Sequence, residues 1–148
     1  MVKTVAVYER TASKSSDSEA ASNARWLENM AHSKGWKVKG TYIDAGVSGN
    51  SPPHERPGFS KLIDALLSHE TIDYVLVRDL SRLGREIAIV QRTISRIHAA
   101  GVQIIYVRLN GELVIEAPFE ADIFYNIAVL YRQYRKMYET TRRLGTKR

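Results

Sequence analysis

The chain has 148 residues, of which 44% are hydrophobic and 26% charged, and this composition favours a single globular domain. The absence of cysteine excludes disulfides, thiolate metal sites and cysteine nucleophiles. The sequence contains neither a long apolar run nor a signal-like start, so we expect a cytoplasmic protein with no membrane partner.

The net charge of +6 is concentrated near the carboxyl terminus. Residues 131–148 contain seven Lys or Arg residues and one acidic residue, Glu139, whereas the first 130 residues have equal numbers of basic and acidic groups. A basic tail is typical of proteins that contact polyanions, nucleic acid more often than a membrane surface. The alternative is a solvated, charged helix end without a partner.

Strand-like and helix-like segments alternate along the chain. Apolar, β-branched runs predict strands at residues 2–9, 38–43, 72–77 and 102–107. Capping residues and apolar periodicity predict helices at residues 19–33, 58–68 and 86–100. This order indicates an α/β fold with a mostly parallel sheet of four to five strands, flanked by helices and followed by a long C-terminal helix.

The last predicted helix covers residues 120–144. Its apolar positions step by four and three and form a seam suited to a partner subunit or to its own domain: Ile123, Ile127, Leu130, Tyr134, Met137, Thr141 and Leu144. Another face carries the basic residues that we expect to bind DNA: Arg132, Arg135, Lys136, Arg142 and Arg143. Because no DNA-reading module follows, we expect a fragment, with a catalytic domain at 1–118 and a dimerisation helix at 119–148.

Arginines cluster where the predicted strands end. Arg10 follows the first strand, and Arg82 and Arg85 follow the third, three residues apart, so they would project the same way on a helix. Arg56 lies near the far end of a long Gly/Pro/Ser-rich loop, residues 44–58, that the sequence indicates to be mobile and functional. Because strand carboxyl ends share one sheet edge, these guanidinium groups can converge on a phosphate.

Neither the carboxylates nor the four histidines have metal-ligand spacing, so we expect phosphoryl chemistry without a metal or another cofactor. A purely structural alternative is that Arg78 and Arg85 form ion pairs with Asp79 and Glu86, and Arg56 is equally compatible with an ordinary surface position.

Four motifs resemble the N-terminal catalytic domain of serine recombinases, the group of resolvases, invertases and large serine integrases. They are YERTA after the first strand, YIDAGVSG after the second, ERPGF at a helix start and LSRLGR after the third strand. They occur in family order and cover nearly the whole chain, most weakly beyond Asn110. The sequences of the YIDAGVSG and ERPGF motifs are most similar to those of the large serine integrases.

The resemblance implies site-specific recombination of double-stranded DNA by transesterification. A serine hydroxyl would attack a phosphodiester and leave a 5′-phosphoserine with a free 3′-hydroxyl, without metal or ATP. Similar proteins form dimers on each site and tetramers at synapsis, in a bacterial or phage-infected cell. Arg10, Arg56, Arg82 and Arg85 match the active-site arginines of the family.

The sequence departs from the family pattern at several positions. Ala12 occupies the nucleophile position, Ser81 stands where many members have aspartate, and Asn23 where many have glutamine. On the last helix, Gln133 and Tyr134 replace a common Glu-Arg pair.

Ala12 has three explanations. The nucleophile is one of Ser13, Ser15 and Ser16 in a shifted loop, the protein is a natural pseudo-enzyme, or serine was deliberately replaced to trap an inactive form. We favour the last, and we predict a form that binds DNA without cleaving it.

Two other functions remain open. One is a non-catalytic basic α/β module that binds nucleic acid or assembles with a full-length recombinase. The other is a nucleotide-binding regulatory domain of flavodoxin-like shape, which the sequence disfavours because no glycine-rich phosphate loop follows the first strand.

Overall fold

The computed structural model describes residues 2–12, 17–68, 71–107 and 111–116. The predicted helix at 120–144 lies outside these ranges, and so do the alternative nucleophiles Ser13, Ser15 and Ser16. The five basic residues assigned to DNA binding are outside them as well: Arg132, Arg135, Lys136, Arg142 and Arg143.

Five strands form one sheet in the order β2-β1-β3-β4-β5. The strands are β1 (Thr4–Thr11), β2 (Lys37–Ala45), β3 (Tyr74–Val77), β4 (Gln103–Val107) and β5 (Leu113–Glu116). The first four are mutually parallel, and β5 pairs antiparallel with β4. The predicted α/β class with a mostly parallel sheet is therefore confirmed.

Helices cover both faces of the sheet. They are α1 (Asp17–Ser33), α2 (Pro57–Leu67) and α3 (Ile87–Ala99), with short 3-10 helices at Pro53–Glu55 and Leu80–Leu83. Val5 and Val7 pack with α1 residues, whereas Ala6 and Tyr8 pack with residues of α2 and α3. Both rows of β1 are apolar because both faces of a mostly parallel sheet are buried. No helix in the described ranges combines the length and apolarity needed to cross a bilayer.

Strand β1 is longer than its sequence pattern indicates. It continues to Thr11 because Arg10 and Thr11 pair with Asp44 and Ala45 of β2. The expectation that Arg10 follows the strand is therefore wrong, since Arg10 is the penultimate strand residue. Its backbone is fixed by the sheet, and its side chain starts from a rigid element.

The segment after β3 does not form one continuous helix. A 3-10 helix covers Leu80–Leu83 and ends at Gly84, whose backbone is extended, and α3 begins only at Ile87. A Cβ on Gly84 would lie 2.9 Å from Ile89 Cγ2, so the close approach of α3 requires glycine. The condition under which Arg82 and Arg85 would project the same way, a single helix through both, is not met, because the chain leaves the helix between them.

Helix α2 begins against the end of β2. The buried carboxylate of Asp44 accepts hydrogen bonds from the backbone N–H groups of Gly58 (2.7 Å) and Phe59 (2.9 Å), which satisfies two donors of the first turn. Pro57 starts the helix, where no N–H is needed. A Cβ on Gly58 would lie 2.6 Å from the carbonyl oxygen of Ile43, so the ERPGF motif requires its glycine.

Candidate active site

The candidate site lies at the carboxyl ends of β1, β2 and β3. Three segments meet there: the end of β1, the loop at residues 46–52 after β2, and the segment at residues 80–85 after β3. Parallel strands place these segments at one edge of the sheet, as expected for a site in this class of fold. Arginine side chains and backbone carbonyl groups make most of the contacts between them.

Arg10 joins all three segments. Its Nε donates to the carbonyl oxygen of Arg82 (3.1 Å), Nη1 to that of Val47 (3.1 Å) and Nη2 to that of Ser81 (2.9 Å). The residue is only 7% exposed. Three of its five N–H donors are therefore used to hold the segments together, and one N–H remains on each Nη atom.

Arg56 makes a second link and is fully buried. Its Nε donates to the carbonyl oxygen of Ser51 (3.1 Å) and its Nη1 to that of Leu83 (2.7 Å). Its Nη2 is buried without a hydrogen-bond partner in the described part of the chain. The alternative of an ordinary surface arginine is therefore wrong, because the side chain lies between the loop and the 3-10 helix.

The loop at 46–52 is held at several points besides these two arginines. The backbone N–H of Arg85 donates to Gly49 O (2.9 Å), and that of Val47 donates to Thr11 O (2.9 Å). A Cβ on Gly49 would lie 2.7 Å from the Cβ of Arg85, so glycine permits this close contact. The loop that the sequence indicates to be mobile is thus tied to β1 and to residues 80–85.

Arg82 lies against β1 and is partly accessible. Its Nη1 donates to the carbonyl oxygen of Arg10 (3.2 Å), and its Nε lies 3.4 Å from Glu9 Oε1 and 3.5 Å from Asp79 Oδ2. The Arg82 side chain is 18% exposed. Within the described residues, its Nη2 makes no protein hydrogen bond.

Arg85 contributes to the site in a different way. Its side chain is exposed, and its link to the other segments is the backbone hydrogen bond to Gly49. Neither Arg78 with Asp79 nor Arg85 with Glu86 forms an ion pair among the described residues, so the purely structural pairing is not observed. Of the four predicted arginines, Arg10 and Arg82 contact each other directly. Arg56 donates to Leu83, the residue next to Arg82, and Arg85 follows in the same segment.

Burial and mutual repulsion act on this concentration of positive charge. Burial lowers the pKa of Arg10, and the nearby Arg56 guanidinium lowers it further. A group with the pKa of arginine nevertheless stays charged at neutral pH. The carbonyl oxygens that surround Arg10 and Arg56 stabilise this charge, since each accepts an N–H at hydrogen-bond distance.

Position 12 follows directly from the end of β1. Ala12 is exposed and lies two residues after Arg10, next to Thr11, whose carbonyl oxygen is fixed by Val47. Its methyl group offers no donor, acceptor or nucleophile. A residue at this position is thus held at the edge that carries the arginines.

Ser81 and Asp79 form a local pair. The Asp79 carboxylate accepts hydrogen bonds from the backbone N–H of Ser81 (2.9 Å) and from its hydroxyl group. Asp79 thereby caps the 3-10 helix, and its second oxygen faces Arg82. A carboxylate is thus present beside Arg82 even though position 81 itself is a serine.

Two buried acidic residues were missed by the sequence interpretation. Asp44 accepts a hydrogen bond from the hydroxyl of Tyr8 (2.8 Å) besides its contacts with α2. Burial raises the pKa of Tyr8, and the charge of Asp44 raises it further, so Tyr8 remains a donor. Glu9 is 0% exposed. The sequence carried a signal for this burial, because side chains alternate between the faces of a strand and Glu9 lies on the same face of β1 as Val5 and Val7.

No group of three or more His, Asp or Glu side chains in the described ranges is arranged to hold a metal ion. Besides the four arginines, the ionisable side chains in the described part of this edge include Glu9, Asp44, Arg78 and Asp79.

Comparisons with known proteins agree on one family. The model of the family described as "Resolvase, N terminal domain" matches residues 5–148. The fold is similar to the N-terminal catalytic domain of TP901-1 integrase, with 26% sequence identity and a TM-score of 0.63, over 91% of this chain and 98% of that one. No curated protein matches the sequence.

Two further solved structures are similar. The C-terminal catalytic domain of ISC1926 TnpA, an IS607-like serine recombinase, is 27% identical with a TM-score of 0.58, over 68% of this chain and 66% of that one. A resolvase family site-specific recombinase from Streptococcus pneumoniae shares the fold, with 21% identity and a TM-score of 0.66, over 97% of each chain.

Proposed function

The chain belongs to the family of the resolvase N-terminal domain, and from this premise we propose that it is the catalytic domain of a serine site-specific DNA recombinase of the integrase type. The observation that carries the proposal is the arrangement of three arginines at this edge of the sheet. Arg10 and Arg82 each donate to the other's backbone carbonyl oxygen, and Arg56 donates to that of Leu83, the residue next to Arg82. Arg10 lies two residues before position 12, where the family resemblance places the nucleophile. The 26% identity with the TP901-1 integrase domain supports the subtype.

The proposed reaction is a transesterification at phosphorus. A serine oxygen at position 12 would form the new P–O bond while the bond to the 3′ oxygen breaks. The serine hydroxyl gives up its proton and the departing 3′ oxygen takes one up, so the step is balanced in protons. Guanidinium groups stabilise the extra negative charge of the five-coordinate phosphorus. Arg82 and Arg85 have the exposure needed to touch the phosphate, whereas Arg10 and Arg56 supply charge from behind and hold the loop.

Ala12 makes the present sequence a cleavage-inactive form. In-line attack requires an oxygen roughly 3 to 3.5 Å from phosphorus, which a methyl group cannot supply. The arginines keep their charge without the hydroxyl, so phosphate binding should survive. The chain would occupy its substrate without turning it over.

The remaining parts of the proposal concern partners. Double-stranded DNA is the proposed substrate, and a second copy of the chain the proposed partner, as a dimer on each site and a tetramer at synapsis. Residues 1–118 would form the catalytic domain, and residues 119–148 a basic helix that contributes to both interactions. The seven basic residues at 131–148 support DNA contact.

A covalent-trapping experiment tests the proposal. The protein, with any sequence that continues its reading frame, is incubated with end-labelled genomic DNA fragments and then denatured. We expect Ala12→Ser to give a protein–DNA adduct that survives denaturant, and the unsubstituted protein to give none. Ala12→Ser combined with Arg82→Ala serves as the matched control and should give much less adduct than Ala12→Ser alone.

Ala12 itself favours a second candidate, a non-catalytic module that assembles with an active recombinase. This candidate predicts that Ala12→Ser never gives an adduct, even when the protein binds the DNA. An adduct from the Ala12 form would instead assign the nucleophile to a neighbouring residue, with Ser13 the first to examine.

A further inference from the structure

A buried carboxylate, that of Glu9, lies beside the guanidinium group of Arg82. Glu9 is 0% exposed, on the row of β1 that otherwise carries Val5 and Val7. One oxygen, Oε1, accepts the backbone N–H of Arg10 (3.0 Å) and lies 3.4 Å from Arg82 Nε. The other, Oε2, is buried with no hydrogen-bond partner in the described part of the chain. A buried charge with an unsatisfied oxygen is costly unless a cation compensates it.

Arg82 is the cation that compensates Glu9. Its Nε is buried and faces Glu9 without hydrogen-bond geometry, so the contact is an ion pair. Its Nη1 donates to the carbonyl oxygen of Arg10, the next residue of the same strand. Two consecutive residues of β1 thus fix two sides of one guanidinium, and the same strand leads to position 12 two residues later.

We propose that Glu9 is a positioning residue that holds the Nε side of Arg82 against β1 and so presents its remaining N–H donors to a phosphate group. This inference rests on the proposed function of the site. Glu9 itself touches no substrate, because it is buried behind Arg82. Its effect is to keep Arg82 at a fixed distance from the residue at position 12.

Asp79 does not account for this arrangement. It lies at a similar distance from Arg82 Nε, 3.5 Å, but its side chain is 41% exposed and already caps the 3-10 helix through Ser81. Water screens an exposed carboxylate, so its ion pair is weak. Asp79→Asn is therefore a matched control for Glu9→Gln, since each removes one negative charge near the same Nε atom.

The test follows the Nε–H signal of Arg82 by ¹⁵N NMR in the 148-residue protein, with the signal assigned from Arg82→Lys. We expect Glu9→Gln to speed hydrogen exchange at this Nε–H and to weaken binding of inorganic phosphate about tenfold, the size of one charge-assisted contact. Asp79→Asn should change the exchange rate and the phosphate affinity less than Glu9→Gln does. Equal effects of the two variants, or no effect of Glu9→Gln, would overturn the proposal.

A measurement on the unsubstituted protein covers the case in which Glu9→Gln fails to fold. Glu9 faces Arg82 and Asp79 from the segment after β3, Arg78 from the end of β3, and the backbone of Arg10. The ¹⁵N chemical shift of Arg82 Nε should change with pH as the carboxyl group of Glu9 titrates. This change should fall above the ordinary glutamate pKa, because burial raises the pKa of Glu9. A shift that does not titrate there would contradict the proposal.

The two readouts separate this inference from the proposed function. If phosphate does not perturb Arg82 but its Nε–H exchange still depends on Glu9, the phosphate site is wrong and the positioning contact stands. If phosphate changes the Arg82 Nε signal equally in the unsubstituted protein and in Glu9→Gln, the phosphate site is supported and the positioning role of Glu9 is wrong.

Discussion

Arg56 Nη1 donates a hydrogen bond to the carbonyl oxygen of Leu83 over 2.7 Å, across 27 positions in the chain. This contact joins the start of α2 to the 3-10 helix that presents Arg82. Arg56 is fully buried, so it shapes the site from behind. An arginine that the sequence groups with the phosphate-binding candidates therefore holds two segments of the fold together.

Arg56→Gln should destabilise the protein. The shorter amide cannot reach the carbonyl oxygens of both Ser51 and Leu83, so at least one buried acceptor loses its donor. We expect a loss of about 2–4 kcal/mol in the free energy of unfolding, measured by chemical denaturation. Arg85→Gln, at an exposed side chain, should change this free energy by no more than about 0.5 kcal/mol. Equal losses in the two variants would contradict the structural role of Arg56.

Asp44→Asn should also destabilise the fold, by about 2–4 kcal/mol, and more than Tyr8→Phe. The carboxylate accepts three hydrogen bonds, from the Tyr8 hydroxyl and from the N–H groups of Gly58 and Phe59. In asparagine, one of the two carboxylate oxygens is replaced by an NH2 group, which cannot accept a hydrogen bond from these donors. Tyr8→Phe removes only a single contact, worth about 1 kcal/mol. Thermal and chemical unfolding of both variants measure the difference. A larger loss for Tyr8→Phe would show that the α2 contacts of Asp44 contribute little.

The sequence was sufficient to predict the layers of the fold. Both rows of β1 are apolar at Val5, Ala6 and Val7, a pattern typical of a strand covered on two faces. Helix boundaries were also close, because capping residues and glycines mark them. Strand ends were less accurate, since Arg10 and Thr11 are polar and enter the sheet only through pairing with β2.

The site was predicted in part, for a related reason. Arginine at the carboxyl ends of strands is a local pattern, so Arg10 and Arg82 could be found from the sequence. The partners of these residues are backbone carbonyl groups of Val47, Ser81 and Arg10, which carry no sequence signal. For the same reason the burial of Arg56 could not be predicted. The positions of Arg10, Arg56, Arg82 and Arg85 in a working active site remain a prediction.

The stability of the protein should depend on the ionisation of Glu9. Burial raises its pKa in the folded state, and the charges of Arg82 and Arg78 offset this only in part. Between the ordinary glutamate pKa, about 4.3, and the higher folded value, the folded protein binds more protons than the unfolded chain. The free energy of unfolding therefore falls as pH rises through this window.

Glu9→Gln isolates this contribution, because glutamine does not titrate. The stability of the unsubstituted protein relative to Glu9→Gln should decrease with rising pH, by at most about 1.4 kcal/mol per pH unit, and then become constant. Denaturation curves at a series of pH values, starting below pH 4, measure it. A relative stability that increases with pH would show that the pKa of Glu9 is lowered instead.

Arg82→Ala, introduced together with Ala12→Ser, should reduce DNA cleavage much more than DNA binding. The Arg82 guanidinium acts mainly on charge that develops as the phosphorus becomes five-coordinate, so its loss falls on the rate. We expect a decrease in cleavage rate of about 10²-fold or more, of the size found when one preorganised donor is removed. Adduct formation over time and gel-shift binding give the two quantities. Equal losses in cleavage rate and in DNA affinity would show that Arg82 contributes to binding alone.

The most direct measurement is the identity of the amino acid that becomes linked to DNA. The adduct formed after Ala12→Ser is digested with nuclease and protease, and the phosphorylated peptide is sequenced by tandem mass spectrometry. We predict a phosphoserine at position 12, with no modified peptide from the unsubstituted Ala12 protein. A phosphate on Ser13, Ser15 or Ser16, or no phosphopeptide from a protein that binds its DNA, would contradict the proposed active site.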